Sequence, residues 1–215
     1  MASKRIASLS IDQLRERWRD HIEWISEEAS YMAEHRTRYR FVQNWLFRPR
    51  SRAWVNRHLQ AYGWIGILWL TAGLMSVRRQ LDDQYGSISL SPLLHEIESR
   101  SEALPGAVAA EVSADRQALQ KACAPALTFA HRQLAHRVPW DDPFVSMAAL
   151  DVALDAIEHA VHKYYRAITG QELPPFDPEP DPDWLRSFEV PWRRPCRRQS
   201  ERGARGPTTE QQGPA

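Results

Sequence analysis

The chain has 215 residues, a formal net charge of +1 and only two cysteines. That length accommodates one domain with a tail, or at most two small domains, and one domain of this size buries a core without disulfides. The near-zero net charge indicates no general preference for an acidic or a basic partner. Cys123 and Cys196 form neither a disulfide framework nor a metal-binding motif, so we expect reduced thiols and a cytoplasmic location.

Two long helices are predicted in the first part of the chain. Ser10 and Gln13 have the spacing of a capping box, and apolar residues follow at steps of three and four. The pattern continues to Leu46 and stops at Pro49. A second helix is predicted from Arg52 to Asp83. The apolar face of the first helix consists of Ile11, Leu14, Trp18, Ile22, Ile25, Ala29 and Met32.

The second predicted helix contains an uncharged stretch, Leu59 to Val77, which is close to the minimum length of a transmembrane helix. Three glycines and the polar residues Gln60, Thr71 and Ser76 dilute its hydrophobicity, so a buried central helix explains it equally well. Residues 1–16 lack the apolar region of a signal peptide. We therefore expect no membrane span, and membrane association remains the alternative.

Three further helices complete the prediction. One extends from Pro92 to Ala103, with Ser91 as its cap. The next extends from Ser113 to His136, and Pro125 is expected to kink it. The last begins near Ser146 and ends at Gly170, a residue typical of helix C-termini.

The last helix has the most regular apolar face in the chain, which suits either a bundle core or a dimer contact. That face consists of Met147, Leu150, Leu154, Ile157, Val161, Tyr164 and Ile168. The predicted fold is all-α, an up-and-down bundle of four to five helices with a Pro-rich, partly disordered C-terminal tail. We expect the bundle over residues 1–170, a docking segment over 171–192 and a disordered Arg-rich tail over 193–215. The docking residues are Trp184, Leu185, Phe188 and Trp192.

His131 to Arg137 places two histidines and two arginines within seven residues at the end of the fourth predicted helix. Arg132 and His136 are four residues apart and share a helix face. In metal-free RNA cleavage an imidazole transfers protons while a guanidinium stabilises the charge that develops on the phosphate. A solvated helix end, where the dipole favours cations, is the alternative interpretation.

This segment resembles the Arg-to-His motif of the HEPN superfamily (higher eukaryotes and prokaryotes nucleotide-binding). The resemblance extends from Arg78 to Trp192. This region is similar to bacterial members of the abortive-infection type. The resemblance is carried by Arg78-Arg79-Gln80-Leu81-Asp82, Ser87-Ile88-Ser89-Leu90, Leu93-Leu94, Tyr164-Tyr165, Thr169-Gly170, Asp183-Trp184 and Pro191-Trp192.

The resemblance implies a metal-independent endoribonuclease of a bacterial defence or toxin–antitoxin system. Such a protein acts on RNA as a homodimer, has a cognate antitoxin or defence partner and needs no cofactor. Arg132 and His136 would be the catalytic residues, and His131 and Arg137 would bind substrate. Only three residues separate Arg132 from His136, which is shorter than the family's usual spacing. A catalytically degenerate helical module that binds RNA, a nucleotide or a partner protein is therefore the second hypothesis.

Two other patterns have functional and structural interpretations. Nine arginines and no lysine or acid lie between His35 and Arg79. Within this stretch, the region from Arg36 to Arg57 is interleaved with aromatic residues, which suits single-stranded RNA. The alternative is a solvated helix face, because the chain has 25 arginines and 3 lysines throughout. On the last helix, Asp155 with His159 and Glu158 with His162 have metal-ligand spacing. A third ligand is missing, so we expect surface pairs there. The nine arginines are at positions 36, 38, 40, 48, 50, 52, 57, 78 and 79.

Overall fold

A computed structural model describes residues 8–46, 59–84, 87–131 and 146–176 of the chain. The described residues form five α-helices, a short 3₁₀ turn over Ser101–Ala103 and no strand. The helices are α1 (Ile11–Leu46), α2 (Leu59–Gln80), α3 (Leu90–Ser99), α4 (Ala109–Phe129) and α5 (Met147–Thr169). The predicted all-α bundle is thereby confirmed. The four predicted docking side chains, Trp184, Leu185, Phe188 and Trp192, lie outside the described residues. The whole Arg-rich tail lies outside them as well.

Two predicted helix ends have the expected hydrogen bonds. The Ser10 amide donates to Gln13 Oε1 at 2.9 Å, and the Gln13 amide donates to Ser10 Oγ at 3.2 Å, which completes the capping box of α1. At the start of α5 the Ala149 amide donates to Ser146 Oγ at 3.1 Å. Gly170 ends α5 in the left-handed conformation, with φ of 73°. The hydrogen bonds at these helix ends join residues three positions apart, so the sequence alone predicts them.

Helix α5 is the central helix of the core and packs against α1, α2 and α4. Its predicted apolar face is directed inward, with Met147 and Ile168 at the two ends only partly buried. The face of α1 is buried too, except for Ile11 in the first turn, which is exposed. The buried residues of the α5 face are Leu150, Leu154, Ile157, Val161 and Tyr164. The apolar face of α5 therefore forms part of the bundle core and is not available as a dimer contact.

The predicted start of α3 is wrong. Helix α3 begins at Leu90, with Ser89 in the N-cap position, so Ser91 lies inside the first turn. The Ser91 hydroxyl donates instead to Asp83 Oδ1 at 2.7 Å. The Leu90 amide, a helix-end donor without an intrahelical partner, donates to Gln80 Oε1 at 3.3 Å. A tertiary acceptor therefore replaces the predicted side-chain cap.

Helix α4 begins at Ala109, four residues before the predicted start at Ser113. Ser113 hydrogen-bonds the side chain of Glu98 on α3 and does not cap its own helix. Pro125 lies within α4, as predicted, and the regular helix continues past it to Phe129. The part of the predicted helix from 132 to 136 lies outside the described residues.

A buried carboxylate joins α3 to α1. The Trp18 indole N–H donates to Glu96 Oε2 at 3.1 Å, and the Arg17 guanidinium donates to both Glu96 oxygens at 3.0 and 3.2 Å. Trp18 is completely buried, so its N–H has no access to water and needs this acceptor.

Helix α2 is fixed against α5 by a glycine. A Cβ atom on Gly73 would lie 2.8 Å from Leu150 Cδ2, so only glycine permits this approach without movement. Trp69, Leu74 and Val77 are buried on the same side of the helix. The predicted N-terminal part of α2, residues 52–58, lies outside the described residues.

Candidate functional site

Of the four residues named in the Arg-to-His segment, the structure places one. Ala130 and His131 continue α4 as a π turn after the regular helix ends. Ala126 and Ala130 are completely buried, which anchors the end of α4 in the core, and His131 is exposed. Arg132, His136 and Arg137 lie outside the described residues, so their shared helix face stays a prediction. A π turn is uncommon and occurs frequently at functional sites.

The arginines on α1 are paired with acids. Arg36 Nη1 lies 2.5 Å from Asp155 Oδ1, and its Nη2 lies 2.8 Å from Glu158 Oε2. Arg40 Nη2 lies 3.1 Å from Asp151 Oδ1. The three acids are on α5, at intervals that place them on one face opposite α1. This arrangement supports the structural interpretation for the first part of the Arg-rich stretch.

Two other arginines of the stretch also have carboxylate partners. Arg38 forms an ion pair with Glu34 one turn earlier on α1, and Arg79 forms one with Glu28. The four arginines at positions 48, 50, 52 and 57 lie outside the described residues. Arg78, on α2, is the ninth arginine and has no carboxylate partner among the ion pairs of the described residues. Phosphate binding by this stretch therefore depends on those four positions and on Arg78 rather than on α1.

The candidate metal ligands of α5 are used in other contacts. Asp155 and Glu158 both bind Arg36, and the His162 ring packs against the Phe176 ring with centroids 4.6 Å apart. Across the described ranges, no group of three or more His, Cys, Asp or Glu side chains is placed to hold a metal ion. The sequence predicts surface pairs of Asp155 with His159 and of Glu158 with His162. Both carboxylates instead pair with Arg36 of α1.

The described cysteine is part of the core. Cys123 is completely buried, and its Sγ lies 3.7 Å from the carbonyl oxygen of Ala153. Burial raises the pKa of the Cys123 thiol to about 12, which leaves almost no thiolate at neutral pH. Cys123 is therefore not a nucleophile candidate.

A surface groove lies between α1 and the residues that follow α5. It has a volume of about 500 Å³, and Phe176 is buried at its inner wall. The α1 side contributes two carboxylates, two hydroxyls and a phenol, and the other side contributes two prolines and two apolar side chains. The lining residues are Ser26, Glu27, Ser30, Tyr31, Glu34, Leu173, Pro174, Pro175 and Phe176. Sequence reasoning missed Phe176, because an isolated aromatic between prolines has no periodic pattern.

Helix α2 carries an apolar face that has no partner among the described residues. Trp64, Ile67, Leu68 and Met75 are large, apolar and exposed. Positions 64, 67, 68 and 75 fall on one face of the helix, opposite its buried face. In the part of the chain that the structure describes, no helix is both long and apolar enough to cross a membrane.

Comparisons of the chain with protein-family models, with curated proteins and with solved structures found no match.

Proposed function

We propose that the protein is a HEPN-like endoribonuclease of a bacterial defence or toxin–antitoxin system, which cleaves RNA as a homodimer without a metal ion. The observation that carries the proposal is the segment His131 to Arg137 at the end of α4. Its first residue is exposed on a π turn whose preceding residue is anchored in the core. An anchored helix end gives a catalytic group the fixed position that proton transfer requires.

The proposed reaction uses the 2′-hydroxyl of RNA as the nucleophile. His136 takes the proton of that hydroxyl, the oxygen attacks phosphorus, and the bond to the 5′-oxygen breaks. The 5′-oxygen takes a proton from water, and the protonated His136 returns its proton to the solvent, so the products are a 2′,3′-cyclic phosphate and a 5′-hydroxyl. Arg132 stabilises the extra negative charge of the transition state, and His131 and Arg137 hold the neighbouring phosphates.

The ion pairs on α1 support assigning phosphate binding to Arg132 and Arg137. Arg36 is almost completely buried and is held by two carboxylates, so a phosphate would have to displace both. Arg38 and Arg40 each have a carboxylate partner as well. The negative charges beside these three arginines also make that face of the bundle unattractive to RNA.

Cleavage of total RNA and tRNA by the purified protein in EDTA tests the proposal. We expect His136→Ala and Arg132→Ala to reduce the rate by about 10²-fold or more, the usual contribution of an acid–base or charge-stabilising group. His95→Ala and Arg166→Ala are matched controls, since both side chains are exposed and distant in sequence from the segment. Equal cleavage by all five proteins, or none by the wild type, would overturn the proposal.

A catalytically degenerate module that binds RNA, a nucleotide or a partner protein is the second candidate. The short spacing between Arg132 and His136 favours it, and the exposed apolar face of α2 favours binding to a protein. RNA affinity that persists in His136→Ala, with no cleavage by either protein, would support this function. The same preparation therefore distinguishes the two candidates.

A further inference from the structure

The exposed face of α2 is unusual for a helix in contact with water. We define the α2 stripe as Trp64, Ile67, Leu68, Thr71, Ala72 and Met75. Trp64 is 62% exposed and Ile67 is 64% exposed, and no charged residue occurs between positions 59 and 77. A helix at the surface of a bundle normally carries charged residues on its outer side. An uncharged outer face with several large apolar side chains is typical of an interface.

The α2 stripe cannot turn inward to hide these side chains. Gly73, on the opposite side of the helix, packs closely on Leu150. Rotation of α2 about its axis would bring a larger residue against Leu150 in place of Gly73. Trp69 also stacks on Tyr39 of α1, with ring centroids 5.4 Å apart. The inner side of α2 is therefore committed to the core, and none of the residues that the structure describes covers the outer side.

We infer that the α2 stripe binds the α2 stripe of a second copy of this chain, with the two helices antiparallel about a twofold axis. Such a contact is isologous, so every residue meets a position fixed by the symmetry. Placing the axis midway between Trp64 and Met75 sets Trp64 against Met75 of the partner subunit. The same register sets Ile67 against Ala72 of the partner subunit and Leu68 against Thr71 of the partner subunit. Each large aliphatic side chain then meets a small one, and a flexible thioether meets the indole ring.

The charges at the end of α2 favour the antiparallel arrangement. Arg78 and Arg79 follow the uncharged stretch directly. A parallel pair would bring these arginines close to the same arginines of the second copy, which is unfavourable. In the antiparallel register they face positions 60 and 61 of the second copy, which are uncharged. The stripe is therefore self-complementary in both size and charge.

The expected dimer is weak. A single pair of helices buries less than the ~800 Å² per partner of a standard stable interface. We therefore expect monomers and dimers to exchange in the micromolar concentration range. The inference rests on the homodimer of the proposed function and specifies its interface, but it does not depend on RNA cleavage.

Sedimentation equilibrium of the full chain between about 1 and 200 μM tests the interface, a range that spans a micromolar Kd. We expect Trp64→Arg to raise the dimer Kd by about 30-fold or more, as for a central aromatic of an interface. Trp24→Arg is the matched control. Trp24 is 64% exposed on α1, but charged residues surround it in the sequence, unlike Trp64. A wild type that is monomeric at every concentration, or equal effects of the two substitutions, would overturn the inference.

Disulfide formation tests the register. Leu68→Cys and Thr71→Cys are made as separate chains that also carry Cys196→Ser, and the two are mixed under mild oxidation. The antiparallel register predicts that the mixed disulfide forms faster than either homodisulfide. If either homodisulfide forms faster than the mixed disulfide, the register is different and the proposed contact is refuted.

The sedimentation and cleavage results separate the two proposals. A dimer that depends on Trp64 but does not cleave RNA supports the interface and removes the ribonuclease. A protein that stays monomeric and still cleaves RNA removes the interface and supports the ribonuclease. Binding of the monomer to lipid vesicles through Trp64 would show that a membrane, and not a second copy, covers the stripe.

Discussion

Two substitutions of Glu96 measure separately what its charge and its oxygen atoms contribute to stability. The carboxylate side chain is 7% exposed and accepts hydrogen bonds from Arg17 and from the buried indole of Trp18. Glu96→Gln keeps the shape and an acceptor for Trp18 but removes the charge. Glu96→Leu fills similar volume and removes the acceptor as well.

The structure gives a different cost for each change. The Arg17 side chain is 37% exposed, so water screens its pairing with Glu96 and the loss of charge should cost only about 1 kcal/mol. Glu96→Leu also leaves the Trp18 N–H buried without a partner, which adds about 1–3 kcal/mol. We therefore expect Glu96→Leu to lower the free energy of unfolding by about 3 kcal/mol in total.

Urea unfolding followed by circular dichroism at 222 nm measures these changes, because the signal reports on the helices and not on individual tryptophans. A loss of about 3 kcal/mol moves the urea midpoint down by roughly 1–2 M. Glu172→Gln is the control, since Glu172 also pairs with an arginine but both side chains are exposed. Equal midpoints for Glu96→Gln and Glu96→Leu would refute the argument that the Trp18 N–H requires its acceptor.

Two further predictions concern glycine and pH. Gly170→Ala should lower the free energy of unfolding by about 1 kcal/mol, because φ of 73° is unfavourable for alanine. Gly63→Ala, at an open position inside α2, should raise the free energy of unfolding by about 0.5–1 kcal/mol. Thermal unfolding should therefore show opposite shifts in Tm for the two variants. Burial alone would raise the pKa of Asp115, but hydrogen bonds from Lys163 and Tyr164 outweigh the effect of burial and hold that pKa below its ordinary value. A carboxylate with a lowered pKa stabilises the fold above its ordinary pKa, so this contribution is present at pH 7 and is lost as the pH falls below about 4. Asp115→Asn should lower stability at pH 7 and reduce its acid dependence, and an unchanged urea midpoint between pH 7 and pH 3 for both proteins would contradict this.

The candidate site is predictable only in part. Sequence spacing identifies His131 to Arg137, since a helix repeat puts residues four apart on one face. It does not show that Arg36 lies between Asp155 and Glu158, because those residues are more than a hundred positions apart. Sequence alone therefore leaves the arginine-rich stretch open to two interpretations, and the partners on α5 support the structural one for its first part, at Arg36 and Arg40.

Sequence alone is enough to predict the all-α class, the capping box at Ser10 and the apolar face of α5, because these depend on residues within one or two helical turns of each other. The start of α3 and α4 depends on tertiary contacts. Gln80 accepts the hydrogen bond of the Leu90 amide, and Glu98 binds the side chain of Ser113, the predicted first residue of α4. The tertiary structure also decided which side of the uncharged helix α2 faces the core. That choice depends on how closely Gly73 approaches Leu150, a contact between distant parts of the chain that no local pattern encodes.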